Sequence, residues 1–483
     1  MPIFSLPSPF GIGTLGRSAY EFVDFLKKSG QSYWQILPIC PTSFGDSPYQ
    51  SFSTLAGNPY FIDFELLEME EYLSAEDFEG ITWGRYQNRI DYGTLYKNRG
   101  TVFLRLYNNF IKDIPPAFYD FCTKEAQWLD DYALFMALKE NFGGISFDKW
   151  DKCFSNRDKD ALEKFKLENQ NKIIYHKMLQ FFFYKQWYQL KEYANNNGIK
   201  IIGDIPIYVS LDSADVWANP DAFMLDNELK PIEVAGCPPD AFTENGQLWG
   251  NPIYDWEYLK STGYKWWIER LKASLEIYDV IRVDHFRAFE SYYCVNANAK
   301  NAKIGTWRKG AGMDFWSEAE RQLGDLPIIA EDLGFLTDDV RKLLDECGFA
   351  GMKVLQFAFD SREESNYLPH NYTKNSVVYT GTHDNDTILG WLETADADDV
   401  DYAVKYLRAG DKYNLPREMM LCAVSSVSKL CILTVQDLLG IGSDARINTP
   451  STIGKNWLWR ATYEQMKSLS AEKLLYYTRL YCR

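Results

Sequence analysis

The segment Ile281-Arg282-Val283-Asp284-His285-Phe286-Arg287 carries the densest chemistry in the chain. On a strand, residues two apart share a face, so Arg282 would lie beside Asp284 and hold its carboxylate ionised at neutral pH, as a nucleophile requires. A structural Arg–Asp pair at the rim of a sheet would explain the same residues. Glu331 follows the apolar run Ile328-Ile329-Ala330, a setting that favours the neutral acid and suits it to proton donation; an ordinary strand-end glutamate fits as well. Gly381-Thr382-His383-Asp384-Asn385-Asp386 places polar groups directly after another apolar run, and alone it could be a turn with an Asx cap. As a set, a nucleophilic Asp, an acid/base Glu and a further Asp at the ends of separate strands are the equipment of retaining glycoside chemistry. Retention expects the two working carboxyl groups about 5–5.5 Å apart, against ~6.5–9.5 Å for inversion.

These residues sit on a recurring element, a short apolar run ending in an acid: Lys200 to Asp204, Val280 to Asp284, Pro327 to Glu331, Val377 to Asp384 and Ile432 to Asp437. Near-continuous apolar strands separated by helices imply a parallel sheet covered on both faces. Acids at the C-terminal ends of many strands suit a ring better than a doubly wound sheet with its single switch point. The expected fold is therefore an α/β protein, a (β/α)8 TIM barrel with helical insertions. Seven strands are legible, at about 33–39, 199–207, 278–284, 326–332, 351–358, 376–383 and 430–437. The eighth, and first in order, has to come from the proline-broken start Ile3-Phe4-Ser5-Leu6, and is expected to be truncated.

Residues 1–483 read as a single catalytic domain. A mainly helical insertion covers 64–198, and a loop-rich insertion at 210–275 carries a substrate loop. The first helix is set by Ala19, Phe22, Val23 and Leu26, with Gly30 as its stop. Gly11-Ile12-Gly13-Thr14-Leu15-Gly16 matches G-x-G-x-x-G, but Pro7 and Pro9 interrupt the strand a dinucleotide site needs and no acid lies about 20 residues further on. It reads as a turn feeding the helix.

Composition narrows the partners. With 51 Lys and Arg against 67 Asp and Glu, the formal charge is −16, and no basic stripe is interleaved with aromatics, so nucleic acid is not an expected partner. No run reaches the ~18 apolar residues of a membrane span, and the start lacks a basic segment followed by an apolar one; a cytoplasmic location without membrane contact is expected. Nine scattered cysteines without a C-x-x-C pair argue for reduced thiols and against a zinc site. Aromatics reach 16%, which fits either large cores or platforms for sugar rings.

The chain resembles the amylomaltases, or 4-α-glucanotransferases, of glycoside hydrolase family 77. The resemblance runs from about Ser5 to Trp457 and is carried by ordered motifs. They are Ser8-Pro9-Phe10-Gly11-Ile12-Gly13, Asp46-Ser47-Pro48-Tyr49-Gln50, Gly57-Asn58-Pro59-Tyr60, Gly203-Asp204-Ile205-Pro206-Ile207, and Pro238-Pro239-Asp240 with Gly246 to Pro252. The series continues with Arg282 to Arg287, Ala330-Glu331-Asp332-Leu333-Gly334, Gly381 to Asn385, and Arg446 to Thr452 with Asn456-Trp457. The resemblance implies Asp284 as nucleophile, Glu331 as general acid/base and Asp384 as the carboxylate that holds the sugar hydroxyls. It further implies Arg282, His383, Tyr49, Asp240, Trp249 and Asn456 as substrate-binding residues. The implied reaction transfers segments between α-1,4-glucans and maltooligosaccharides, without cofactor or metal. Ala241-Phe242 departs from the aromatic-Phe pair of many relatives and would alter the lid over the acceptor sites. An α-glucan hydrolase and a catalytically dead glucan-binding scaffold are the competing readings. The oligomeric state is not set by the sequence.

Overall fold

The computed structural model describes residues 1–239, 244–334 and 336–483. Its strands, in chain order, are β1 (Tyr33–Gln35), β2 (Lys200–Pro206), β3 (Glu233–Cys237), β4 (Gln247–Pro252), β5 (Val280–Asp284), β6 (Ser291–Asn296), β7 (Thr306–Lys309), β8 (Ile328–Ala330), β9 (Ala350–Val354), β10 (Ser376–Tyr379) and β11 (Leu430–Ile432). Seven of them form one sheet in the order β1-β2-β5-β8-β9-β10-β11, with every pairing parallel. The seven strands read from the sequence are these seven.

The sheet curls into a nearly closed barrel. Tyr33, Ile202, Val280, Ile329, Met352, Val354, Val377, Tyr379, Leu430 and Ile432, drawn from all seven strands, meet in a single apolar cluster. Strands of a flat sheet could not converge this way, whereas a barrel fills its lumen with such layers. Tyr379 donates from β10 to the Gln35 amide oxygen on β1 at 3.0 Å, linking two strands that share no ladder. The intervening residues Ile201, Ile281 and Val283 face outward into the main core under the helices, as the two-residue period of a strand requires. Val280, Arg282 and Asp284 therefore share the inward face of β5.

The expected first strand at Ile3 to Leu6 is corrected. Ile3–Ser5 is a 3-10 helix, and among the described residues no eighth strand joins the sheet. The proline-flanked segment is held by other partners than a ladder. The Phe4 carbonyl accepts from the Gly13 N–H, the Ser5 carbonyl accepts from the Ala461 N–H, and the Ser5 hydroxyl donates to the Trp459 carbonyl. The Gly11-to-Gly16 motif is a turn: a Cβ on Gly13 would lie 1.8 Å from the Ile3 carbonyl oxygen, so glycine there serves close backbone packing.

Between Phe64 and Asn196 the described elements are helical, including Tyr92–Phe110, Ala126–Asn141 and Gln170–Asn196. Phe110, Phe118, Phe181 and Phe182 pack edge to face between them. A separate antiparallel sheet, β4-β3-β6-β7, is built from the segments that precede and follow β5.

Gly203, in β2, lies against the ring of Tyr278. An added Cβ would stand 2.2–2.4 Å from three ring atoms of that buried tyrosine. Gly203→Ala is expected to cost about 1–3 kcal/mol of stability, read as a lowered urea midpoint; an unchanged midpoint would contradict the packing described.

Candidate active site

The site begins with register. Asp204 on β2 pairs directly with Arg282 on β5, and both side chains face the barrel interior. Arg282 Nη1 lies 2.8 and 2.7 Å from the two Asp204 oxygens and 3.0 Å from Asp284 Oδ1. The Tyr49 hydroxyl donates to Asp204 Oδ2 at 2.7 Å. Asp204 and Arg282 are buried, whereas the Asp284 side chain stays 28% exposed. One guanidinium thus neutralises a buried acid and still touches a carboxylate that opens to solvent.

Glu331 leaves the neighbouring strand. Val283 pairs with Ala330 across β5 and β8, so Asp284 and Glu331 step off adjacent strand ends. Glu331 Oε2 accepts from the His285 N–H at 2.7 Å and Oε1 from the Leu333 N–H at 2.8 Å. His285 reaches that position through a left-handed backbone, φ 52°, a conformation uncommon outside glycine and costly unless its surroundings impose it. Burial and then the Arg287 charge hold its imidazole down at about 3, so it is neutral.

Burial raises both acids, and different neighbours act on each. Burial first, and the Asp284 charge second, push Glu331 up to about 7, against the pull of Arg282 and the two backbone N–H groups. Burial also pushes Asp284 up, to about 6; Arg282 is the largest opposing influence. Arg282 in direct contact, and then His383, hold Asp284 back towards its ionised form. Near neutral pH this places an ionised Asp284 beside a protonated Glu331, the division of labour that acid-assisted nucleophilic attack needs.

The third acid is positioned by loops. The Thr382 N–H and hydroxyl both donate to Asn385 Oδ1 at 2.9 Å, closing the turn after β10. Asp384 Oδ1 accepts from Asn448 Nδ2 at 2.6 Å and lies 3.3 Å from His383 Nε2. Arg446 donates to the Asp384 carbonyl at 2.6 Å and to the Asn448 carbonyl at 2.8 Å, clamping the two segments together. The Asp384 side chain remains 47% exposed and can accept further hydrogen bonds. His383 is stacked on Tyr49, with centroids 5.1 Å apart at 16°, and Trp457 lies 5.8 Å away on the same wall.

Of the residues named from the sequence, Tyr49, Arg282, Asp284, Glu331, His383 and Asp384 are brought together here. Trp249 stands edge-on to His285 at 4.8 Å, and its indole N–H donates to Gln247 Oε1. Asn456 is occupied within its own loop: Oδ1 accepts from the Thr449 N–H at 3.0 Å and Nδ2 donates to the Thr452 carbonyl at 2.9 Å. Asp240 lies outside the described residues. Asp204 as the buried counter-ion, Asn448 as the partner of Asp384, and Trp457 as part of the aromatic wall were absent from the sequence-derived site, although each sits in a quoted motif. Among the described residues no group of three or more His, Cys, Asp or Glu is arranged to hold a metal ion.

Comparison with known proteins identifies the family. The family model described as 4-alpha-glucanotransferase matches residues 1–466. A 4-alpha-glucanotransferase of Clostridium butyricum is 49% identical, with all of both chains covered, and one of Streptococcus pneumoniae is 46% identical over all of this chain and 96% of its own. The solved amylomaltase of Streptococcus agalactiae in complex with acarbose superposes with a TM-score of 0.97 at 43% identity, covering 100% of this chain and 98% of that one. The chain belongs to glycoside hydrolase family 77, the 4-alpha-glucanotransferases.

Proposed function

We propose that the chain performs its family's glucan transfer by double displacement on α-1,4-glucans, with Asp284, Glu331 and Asp384 as the working acids. Glu331 donates its proton to the glycosidic oxygen while Asp284 attacks the anomeric carbon. The C–O bond to the leaving glucan breaks and an ester to Asp284 forms. The Glu331 carboxylate then takes the proton from the 4-hydroxyl of an incoming glucan, whose oxygen displaces Asp284 and restores both acids. Asp384, braced by Asn448 and Arg446, accepts from the hydroxyls of the bound ring. Tyr49, His383, Arg282 and Trp249 line the groove, and the family resemblance implies Asp240 and Asn456 as further substrate-binding residues.

The observation that carries this reading is the shared Arg282: it lies 3.0 Å from Asp284 Oδ1 and favours its ionised form, while burial and the Asp284 charge push Glu331 next to it up, towards the protonated acid. The donors and acceptors are α-1,4-glucans and maltooligosaccharides, a class supported by the acarbose bound to the S. agalactiae neighbour. Maltose-, starch- and glycogen-derived chains fall within it. Residues 64–198 and 210–275 are insertions on a single catalytic barrel, the second carrying a substrate loop. The protein works in the cytoplasm, a placement supported by nine scattered cysteines without a C-x-x-C pair.

Incubation with maltotriose alone is expected to release glucose together with maltopentaose and longer glucans, without a net rise in reducing ends. A net rise would indicate hydrolysis. Asp284→Ala should lower turnover by at least about 10⁴-fold with the fold kept, as judged by circular dichroism; near-normal transfer would show that the nucleophile is another residue.

Activity needs Asp284 without its proton and Glu331 with one. The pair should therefore give a narrow bell for kcat/KM, falling as pH drops below about 6 and as it rises above about 7. With α-maltosyl fluoride, whose leaving group needs no proton, Glu331→Gln should lose the alkaline limb of the first step. A profile flat from about pH 5 to 9 in the unaltered protein would contradict the assignment.

A further inference from the structure

Asp332, the residue after the acid/base, is a buried carboxylic acid that no step of the mechanism uses. It is 5% exposed, and an acid removed from water is costly unless hydrogen bonds compensate. Its Oδ1 accepts from the Met352 N–H at 2.6 Å. That bond falls where a ladder stops. β8 pairs with β9 through Ile329–Ala350 and Ala330–Gly351, so the next pair in register would be Glu331 with Met352. The Met352 N–H goes instead to the Asp332 carboxylate, and β8 ends at Ala330.

Glu331 is thereby held from both sides. Towards β5 its N–H donates to the Val283 carbonyl at 3.0 Å and its carbonyl accepts from the Phe286 N–H at 3.1 Å. Towards β9 the ladder no longer claims the chain, and the Asp332 side chain ties the following residue to Met352, which is buried in the barrel lumen. Between these anchors the backbone turns, and the Leu333 N–H comes back to Glu331 Oε1 at 2.8 Å. The neighbouring strand makes room for the carboxylate. A Cβ on Gly351 would lie 2.6 Å from Asp332 Oδ2 and 3.0 Å from its Cγ, while the φ of Gly351 is outside the left-handed region. Glycine is needed there for space.

We propose that Asp332 is the positioning residue of the acid/base: by taking the Met352 N–H it ends the β8–β9 ladder at Ala330 and sets the turn that aims the Glu331 carboxyl at the glycosidic oxygen. The inference rests on Glu331 being the proton donor.

The test compares two donors. Maltotriose needs a proton on its leaving sugar, whereas fluoride leaves α-maltosyl fluoride without one. Asp332→Ala should lower kcat/KM for maltotriose about 10²-fold, while the first burst of fluoride release slows by less than about threefold. Asp332→Asn keeps an oxygen for the Met352 N–H and should recover most of the loss. Gly351→Ala retains the acid but displaces its carboxylate, so it should show the same selective loss; it decides the matter if Asp332→Ala does not fold. Equal losses with both donors, an unchanged kcat/KM for maltotriose, or no recovery in Asp332→Asn would overturn the positioning role. Glu331→Gln, measured alongside, should show the donor-selective loss most strongly. If it does not, the assignment of Glu331 falls and this inference with it; a selective loss in Glu331→Gln alone would overturn only the role of Asp332.

Discussion

The buried contact between Arg282 and Asp204 is the interaction on which the site depends. Removing two charges from water costs several kcal/mol per ion, and only close geometry with further hydrogen bonds offsets this. Here Arg282 reaches both Asp204 oxygens, and Tyr49 supplies a further donor. The arrangement makes sense when Asp284 is counted as the third member. Asp204 alone would be satisfied by the cation; the surplus field falls on Asp284, the one acid of the three groups that water also reaches. Loss of Arg282 would leave two carboxylates facing each other in the lumen. Loss of Asp204 would turn the guanidinium wholly onto Asp284 and make it a weaker nucleophile.

The rest of the fold serves that contact at longer range. The parallel register of β2 on β5 sets Asp204 against Arg282, and that of β5 on β8 sets Glu331 beside Asp284. Distant segments then close the groove. Tyr49 comes from the loop after β1, His383 from the turn after β10 and Trp457 from the segment that returns along the N-terminal residues, where Ser5 binds Trp459 and Ala461. The proline-flanked start thus gives up a ladder and takes instead a seam to the C-terminal segment.

Particular residues show how far the sequence could be read. The barrel strands were legible because buried parallel strands are continuous apolar runs, and their terminal acids stood out against them. The segment Ile3 to Leu6 misled because its apolar character resembles a strand, while its flanking prolines and the claims of Gly13 and Ala461 on its carbonyls decide otherwise. Asp204 was visible as a strand-end acid, but its pairing with Arg282 depends on register between strands 78 residues apart, which composition does not encode. Asn448 belongs to Asp384 across 64 residues, a contact made by loops whose paths follow from tertiary packing. The chemistry was therefore easier to recognise than the groups that hold it in place.

The most direct measurement is to trap the intermediate. Glu331→Gln, supplied with α-maltosyl fluoride, can complete the first displacement without a proton donor but lacks the base for the second. Rapid acid quench, peptic digestion and mass spectrometry should find the maltosyl group as an ester on the peptide containing Asp284. A label on another residue, or release of β-configured maltose with no labelled peptide at any time, would contradict the account.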